Sequence, residues 1–337
     1  MEDATIYDVA RLAGVSISTV SLAINHPGRV RPATRERVHQ AADAVGFVPK
    51  EHAVARARRG LGRIAVVAPF SHYPSYYRRL NGVFSELKDT ATQVLIYDYA
   101  DMATLESPLL SALPIRGHVD GLLIMGIPLS EAVADRLGGR LPTVLVDASH
   151  PGFPSVTVDY AGAGIEVALH LQSLGHRKVA TLMGAAVSIP EGSPGWTRLS
   201  TFQDVYGLEN VLRVIVDRRS GGGAEAVEAV LRNGPDGPDR PTAVFAEWDL
   251  LAVRFLAAAR QTGIRVPEDI SLVGFDDGDL PEALGLSTVT QPMEETGALG
   301  MRLLARALDG DDSPGSVQLT PALALRSTTG PAGGPQA

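Results

Sequence analysis

From Thr5 to Gly46 the apolar residues recur at helical spacing in three short blocks. Ile6, Val9, Ala10 and Ala13 stand at i, i+3, i+4 and i+7 and form one apolar face. Thr5 and Asp8 make a capping box ahead of Ile6, and Gly14 supplies the left-handed residue that ends a helix. Ser16 caps a second helix over about Ile17–Ile24, with Val20, Ala23 and Ile24 inward and Ile17, Ser18, Ser21 and Leu22 outward. Pro32 opens a third helix and Gly46 closes it, with Val38, Ala41, Ala42 and Val45 inside. This predicts a small three-helix core whose first two helices form a helix-turn-helix. A helical hairpin in any all-α subdomain has the same spacing, so spacing alone leaves both readings open.

From Gly62 the pattern changes to short β-branched runs alternating with helices. Strands are expected at 63–68, 93–97, 121–124, 143–146, 155–158, 179–182, 213–216, 243–246 and 270–275. Helices are expected at 76–89, 130–137, 161–174, 196–206, 223–232 and 250–262. Repeated β-α units argue for parallel sheets covered on both faces. Two such series predict two similar Rossmann-like α/β lobes, with ligands outside the carboxyl ends of the strands. Between head and body lies Lys50–Arg59, KEHAVARARR, too short for a stable helix alone and suited to folding on an anionic surface. Asn233–Pro241 reads as a loop, and residues 329–337 as a disordered tail.

Composition narrows the class. The 337 residues are 45% hydrophobic and 20% charged, a globular balance with room for two or three domains. No cysteine is present, which excludes disulfides and thiolate chemistry. No apolar run is long enough for a membrane span, and MEDATIYDVA lacks the features of a secretion signal, so a cytoplasmic protein is expected. The net charge of −8 argues against nucleic acid until its distribution is read. Residues 1–62 carry nine Lys/Arg against six acids, or +3, which leaves −11 for the rest. A basic head on an acidic body fits a nucleic-acid module on a separate sensor.

No catalytic or cofactor motif is complete. The glycines at 162 and 164 lack a third because Val167 stands in its place, and Walker A, H-E-x-x-H and G-x-S-x-G are absent. No metal or cofactor is expected; the Asp276-Asp277 pair suits a cation or hydroxyls equally. Sugar recognition needs aromatic faces and charged or amide groups. Phe70, Tyr73, Tyr76 and Tyr77 crowd into eight positions after the first strand, and Asp147, Trp248, Asp249 and Asp276 stand at or just after other strand ends.

Thr5–Asn25 and RVRPATRERVHQAADAVGFVPK together resemble the head of the lactose/galactose-repressor (LacI/GalR) family of bacterial transcription factors. GHRKVATLMG, RPTAVFAEWD, GIRVPEDISLVGFDD and LSTVTQP are similar to motifs of that family's body. The resemblance implies a head at 1–46, a hinge helix at 47–61 and a two-lobed, periplasmic-binding-protein-like body at 62–328. The lobes would be 62–159 with 290–319, and 160–289 with 320–328. It implies a homodimer on a palindromic double-stranded operator, at the nucleoid, with a small-molecule effector, a sugar, between the lobes. Thr5, Tyr7, Ser16, Thr19, Asn25 and Thr34 would hold phosphates, and Ile17, Ser18 and Leu22 would face base edges. Lys50 and Arg56 would contact DNA from the hinge, Arg56 in the minor groove. The effector would meet Asp147, Arg198, Asp276 and Gln291, with Phe70, Tyr73, Tyr76 and Trp248 as aromatic faces. Three positions depart from the family pattern: Trp248 replaces an Asn, Leu22 an Arg and Arg56 a Leu wedge. A solute-binding protein without a DNA role, a co-repressor-type regulator that answers to a non-sugar small molecule, and an enzyme on the same α/β fold are the rival readings.

Overall fold

The computed structural model describes residues 5–25, 27–45, 47, 62–71, 73, 75–99, 119–185, 193–217, 222–231, 240–311 and 315–333. Lys50 and Arg56, with nearly all of the expected hinge, lie outside the described residues, as does most of the loop at 233–241.

The head is α1 (Ile6–Ala13), α2 (Ile17–Asn25) and α3 (Pro32–Val45). Asp8 Oδ2 accepts the Thr5 backbone N–H at 2.9 Å and the Thr5 hydroxyl at 2.6 Å, fixing the start of α1. Gly14 ends it at φ +63° and donates its N–H back into the last turn. Ser16 Oγ accepts the Thr19 N–H and caps α2. Val9, Val20, Ala23, Val38 and Ala42 close the core between the three helices. His39 of α3 is also fully buried.

The chain then divides into two units, residues 1–157 with 293–317 and 158–292 with 318–337. In the first, the elements are β1 (Arg63–Ala68), α4 (Ser75–Leu87), β2 (Gln93–Asp98), β3 (Gly121–Met125), α5 (Glu131–Leu137), β4 (Thr143–Val146) and β5 (Ser155–Val158). The strand order is β11-β5-β4-β3-β1-β2, with β11 at Val317–Leu319 returning after α11 (Met293–Leu308). β1, β3 and β4 are buried almost throughout and pair in parallel. One apolar cluster includes Val66, Leu123 and Leu304, and another Ala65, Leu122 and Val133, with alternate strand residues facing each.

The second unit repeats the plan. It holds α6 (Tyr160–Ser173), β6 (Val179–Ala185), α7 (Pro194–Tyr206), β7 (Val211–Asp217), α8 (Gly223–Leu231), β8 (Ala243–Ala246), α9 (Asp249–Gln261), β9 (Ser271–Asp276), α10 (Asp279–Leu284), β10 (Ser287–Thr290) and β12 (Ala322–Ala324). The order is β12-β10-β9-β8-β6-β7, parallel except for β12 against β10. In each sheet the first strand of the series lies between the second and the third, so the order reverses beside β1 and beside β6. Side chains at those carboxyl ends stand where open α/β sheets hold ligands.

The tail corrects the sequence reading. It is not disordered from 329, because Gly330 carbonyl lies 3.0 Å from His176 Nε2 and the Ala332 N–H donates to Leu174 carbonyl at 2.8 Å. The Leu174 carbonyl and the His176 ring, both just after α6, and the Ser271 hydroxyl of β9 hold the Pro/Gly-rich segment that composition alone read as free. Residues 334–337 lie outside the described set.

Candidate functional site

Three groups of side chains gather the residues expected to act: the outer face of the head and the strand ends of each unit. In the head, α1 and α2 are bent by 102°, within the range of a helix-turn-helix. The turn Gly14-Val15-Ser16 joins them, and Val20, Ala23 and Ile24 turn α2 inward. Ile17, Ser18 and Leu22 are left on the solvent side; the two apolar residues are 40% and 37% exposed. Tyr7 is exposed on α1, Thr34 half-buried in the first turn of α3, and Asn25 closes α2. Thr5, Ser16 and Thr19 also serve the helix starts; Ser16 Oγ lies 2.8 Å from Thr19 Oγ1.

At the strand ends of the first unit, Asp147 follows β4 at φ +60°. Its Oδ2 lies 2.7 Å from Arg79 Nη2 and accepts the Tyr76 hydroxyl at 3.3 Å. The Arg79 guanidinium also lies over the Tyr76 ring. Burial and the Asp147 charge push the Tyr76 hydroxyl well above the ordinary tyrosine range, so it stays a donor. Gly126, after β3, makes room: a Cβ there would fall 1.7 Å from the Tyr76 oxygen. Tyr73 meets Tyr76 edge-on, while Phe70 is buried and packs on Tyr77. Thus Tyr73, Tyr76 and Asp147 come together, and Phe70 belongs to the core. Arg79 was missed, because a lone Arg in an amphipathic helix reads as a solvated residue.

At the strand ends of the second unit, Ser193 and Pro194 start α7 and bring Arg198 one turn in. The guanidinium lies 4.1 Å from the Phe275 ring centre. Nη2 donates to Glu247 carbonyl at 2.6 Å, Nε is buried without a hydrogen-bond partner, and Arg198 makes no ion pair among the described residues. Gln291, just after β10, accepts from the Tyr160 hydroxyl at 3.0 Å and donates to Asp276 Oδ1 at 2.6 Å. Glu247 Oε2 accepts the Gly184 N–H at the end of β6. Arg198, Asp276 and Gln291 therefore share one end of the sheet. Trp248 is half-buried and packs on the apolar cluster of α8 and α9. Tyr160 and Glu247 were missed; position just after a strand was the available signal for Glu247.

This arrangement offers a planar cationic donor over an aromatic ring, a carboxylate and a carboxamide, which match a ring with paired hydroxyls. Among the described residues no group of His, Asp or Glu has the make-up of a metal site, and no single helix is long and apolar enough to cross a membrane.

Comparison with known proteins agrees in both parts of the chain. Residues 5–50 match the model of bacterial regulatory proteins of the lacI family, and 168–329 that of a periplasmic binding protein-like domain. The chain is 32% identical to the HTH-type transcriptional regulator DegA of Bacillus subtilis (strain 168), over 97% of this chain and 98% of that one. Among solved structures, a transcriptional regulator CelR–cellobiose complex is 28% identical, with TM-score 0.66 over 96% of this chain and 99% of that one. The lac repressor dimer bound to operator and the anti-inducer ONPF is 25% identical, with TM-score 0.67 over 98% and 100%.

Proposed function

The chain belongs to the lacI family of bacterial regulatory proteins, and from that premise we propose how its two modules divide the work. It is a DNA-binding transcriptional regulator, a repressor of carbohydrate genes that acts as a homodimer on an operator, and its place of action is the cytoplasm. The α2 face enters the major groove, where Ile17 and Leu22 suit thymine methyls and Ser18 either base edge. Thr5, Tyr7, Ser16, Thr19, Asn25 and Thr34 hold phosphates, which fixes register without reading sequence. Lys50 and Arg56 add charge from the hinge.

The effector is a carbohydrate held at the strand ends of the second unit by Arg198, Asp276 and Gln291. The observation that carries this is Arg198: a buried guanidinium laid on Phe275, whose Nε has no acceptor among the described residues, one that a sugar hydroxyl would supply. The cellobiose held by the CelR relative supports the class. Binding changes operator affinity through the hinge.

A thermal-shift screen of the full chain against mono- and disaccharides, followed by operator gel shifts with each hit, tests the reading. A sugar that raises the melting temperature and alters the gel shift is expected. A regulator that shifts an operator but answers to no carbohydrate refutes the effector class alone.

A further inference from the structure

Asp276 does not stand in ordinary strand geometry. It has φ +119° and Asp277 has φ +55°, two consecutive non-glycine residues in the region that favours glycine. Something must hold this turn, and the Asp249 side chain reaches its backbone. Asp249, in the first turn of α9, accepts the Asp277 N–H at 2.6 Å and the Gly278 N–H at 3.4 Å on Oδ2. Its Oδ1 accepts the Thr288 hydroxyl at 2.6 Å from β10. The place is built for that carboxylate: a Cβ on Gly274 of β9 would fall 2.2 Å from Asp249 Oδ1. Asp277 is engaged elsewhere, by Arg326 at 2.8 Å and by the Thr290 hydroxyl at 2.7 Å.

We propose that Asp249 is the positioning residue for Asp276: its carboxylate clamps the left-handed turn at 276–278 and so sets where the Asp276 carboxylate meets the effector. The proposal rests on the reading that Asp276 touches a carbohydrate. It adds a control that the sugar contacts alone do not give.

The clamp depends on charge. A carboxylate accepts a backbone N–H more strongly than a neutral acid does. Burial and the neighbouring Asp276 lift Asp249 to about 7, against the lowering effect of Thr288 and the two amides. The charged groups around it are Asp276 on β9, Asp277 with its partner Arg326, and Glu247 at the end of β8 held at Gly184. The turn is therefore gripped above neutrality and loosened below it.

Amide hydrogen exchange of Asp277 and Gly278, measured on the full chain at pH 6 to 8 and corrected for intrinsic rate, tests the clamp without a ligand. Protection should fall about tenfold from pH 8 to pH 6. In Asp249→Asn it should be low and nearly independent of pH. Thr288→Val removes a bond that lowers the Asp249 value, so the midpoint of the loss should move to higher pH. A purely structural Thr288 would leave that midpoint unmoved. Wild-type-like protection in Asp249→Asn, or an unmoved midpoint in Thr288→Val, overturns the proposal. Cellobiose is the first binding probe, followed by the other sugars of the screen. Weaker binding to Asp249→Asn than to wild type supports positioning, and equal binding overturns it. Failure of every sugar to bind wild type overturns the carbohydrate reading and with it the effector role of Asp276, whereas the exchange result still judges the clamp.

Discussion

Arg79 Nη2 stands 2.7 Å from Asp147 Oδ2, and the two side chains are only 1% and 5% exposed. The pair ties α4 to the end of β4 in the first unit. Breaking one partner of a buried pair leaves an uncompensated charge, at a cost of about 3–5 kcal/mol. Arg79→Met should lower unfolding stability by about that amount in urea titrations of the full chain. A loss under about 1 kcal/mol would mean that water reaches Asp147.

Arg198 should behave in the opposite way. It is as buried in kind but makes no ion pair among the described residues. Arg198→Gln should leave the melting temperature nearly unchanged and weaken carbohydrate binding. Asp276→Asn should weaken binding too. Each lost bond to a charged group is worth roughly 1.5–3 kcal/mol, on the order of 10- to 150-fold in Kd. Calorimetry that finds both variants binding like wild type removes these residues from the site.

Asp249 gives a pH signature. Its folded value is lifted from 3.8 to about 7, so between those values the folded chain binds a proton that the unfolded chain does not. Its contribution to stability is therefore largest at acid pH, declines as pH rises to about 7, and is level above. Relative to wild type, Asp249→Asn should gain stability steadily from pH 5 to pH 7 and hold a constant difference beyond. Urea unfolding at pH 5, 6, 7 and 8 measures this; a difference that is constant throughout contradicts it.

The crossing of α4 and α11 should tolerate no side chain. A Cβ on Gly82 would fall 1.9 Å from Glu294 carbonyl oxygen, and one on Gly297 would fall 1.8 Å from that of Arg79. Gly82→Ala and Gly297→Ala should each destabilise by about 1–3 kcal/mol or more, since the backbones must separate. Melting temperatures equal to wild type would show that the helices can part freely.

The sequence made the head legible because its signals are local: Thr5 with Asp8, Gly14 and Ser16 fix helix ends within a few residues. The strands were legible as β-branched runs, although β6 and β7 run on to Ala185 and Asp217 because parallel neighbours continue the pairing. Residues 279–308 were not assigned elements. The buried face of α11 includes Thr296, Gly297 and Gly300, small residues that carry little hydrophobic periodicity but allow close contact. At the strand ends, position and residue type pointed to Asp147 and Asp276, whereas Arg198, inside a helix, and Gln291 were indicated by the family resemblance alone. The partners Arg79, Tyr160 and Glu247 were hidden because only folding brings residues 79 and 147, or 160 and 291, together. Asp249 was noticed as a strand-end acid, but its hold on residues 277 and 278 depends on a turn that no local pattern announces.

On the proposed function, one chain reads an operator with α2 and answers to a carbohydrate at its strand ends. The direct measurement is fluorescence anisotropy of the full chain on its palindromic operator, with and without the carbohydrate that stabilises it, for wild type and Ser18→Glu. Wild type should bind at nanomolar to subnanomolar concentration, on the order of 10⁻⁸–10⁻¹¹ M. The sugar should change that affinity by about 5- to 150-fold. Ser18→Glu, which sets a negative charge against the duplex, should lose operator binding and keep its thermal response to the sugar. Operator binding that ignores the sugar, or that survives Ser18→Glu unchanged, contradicts the account.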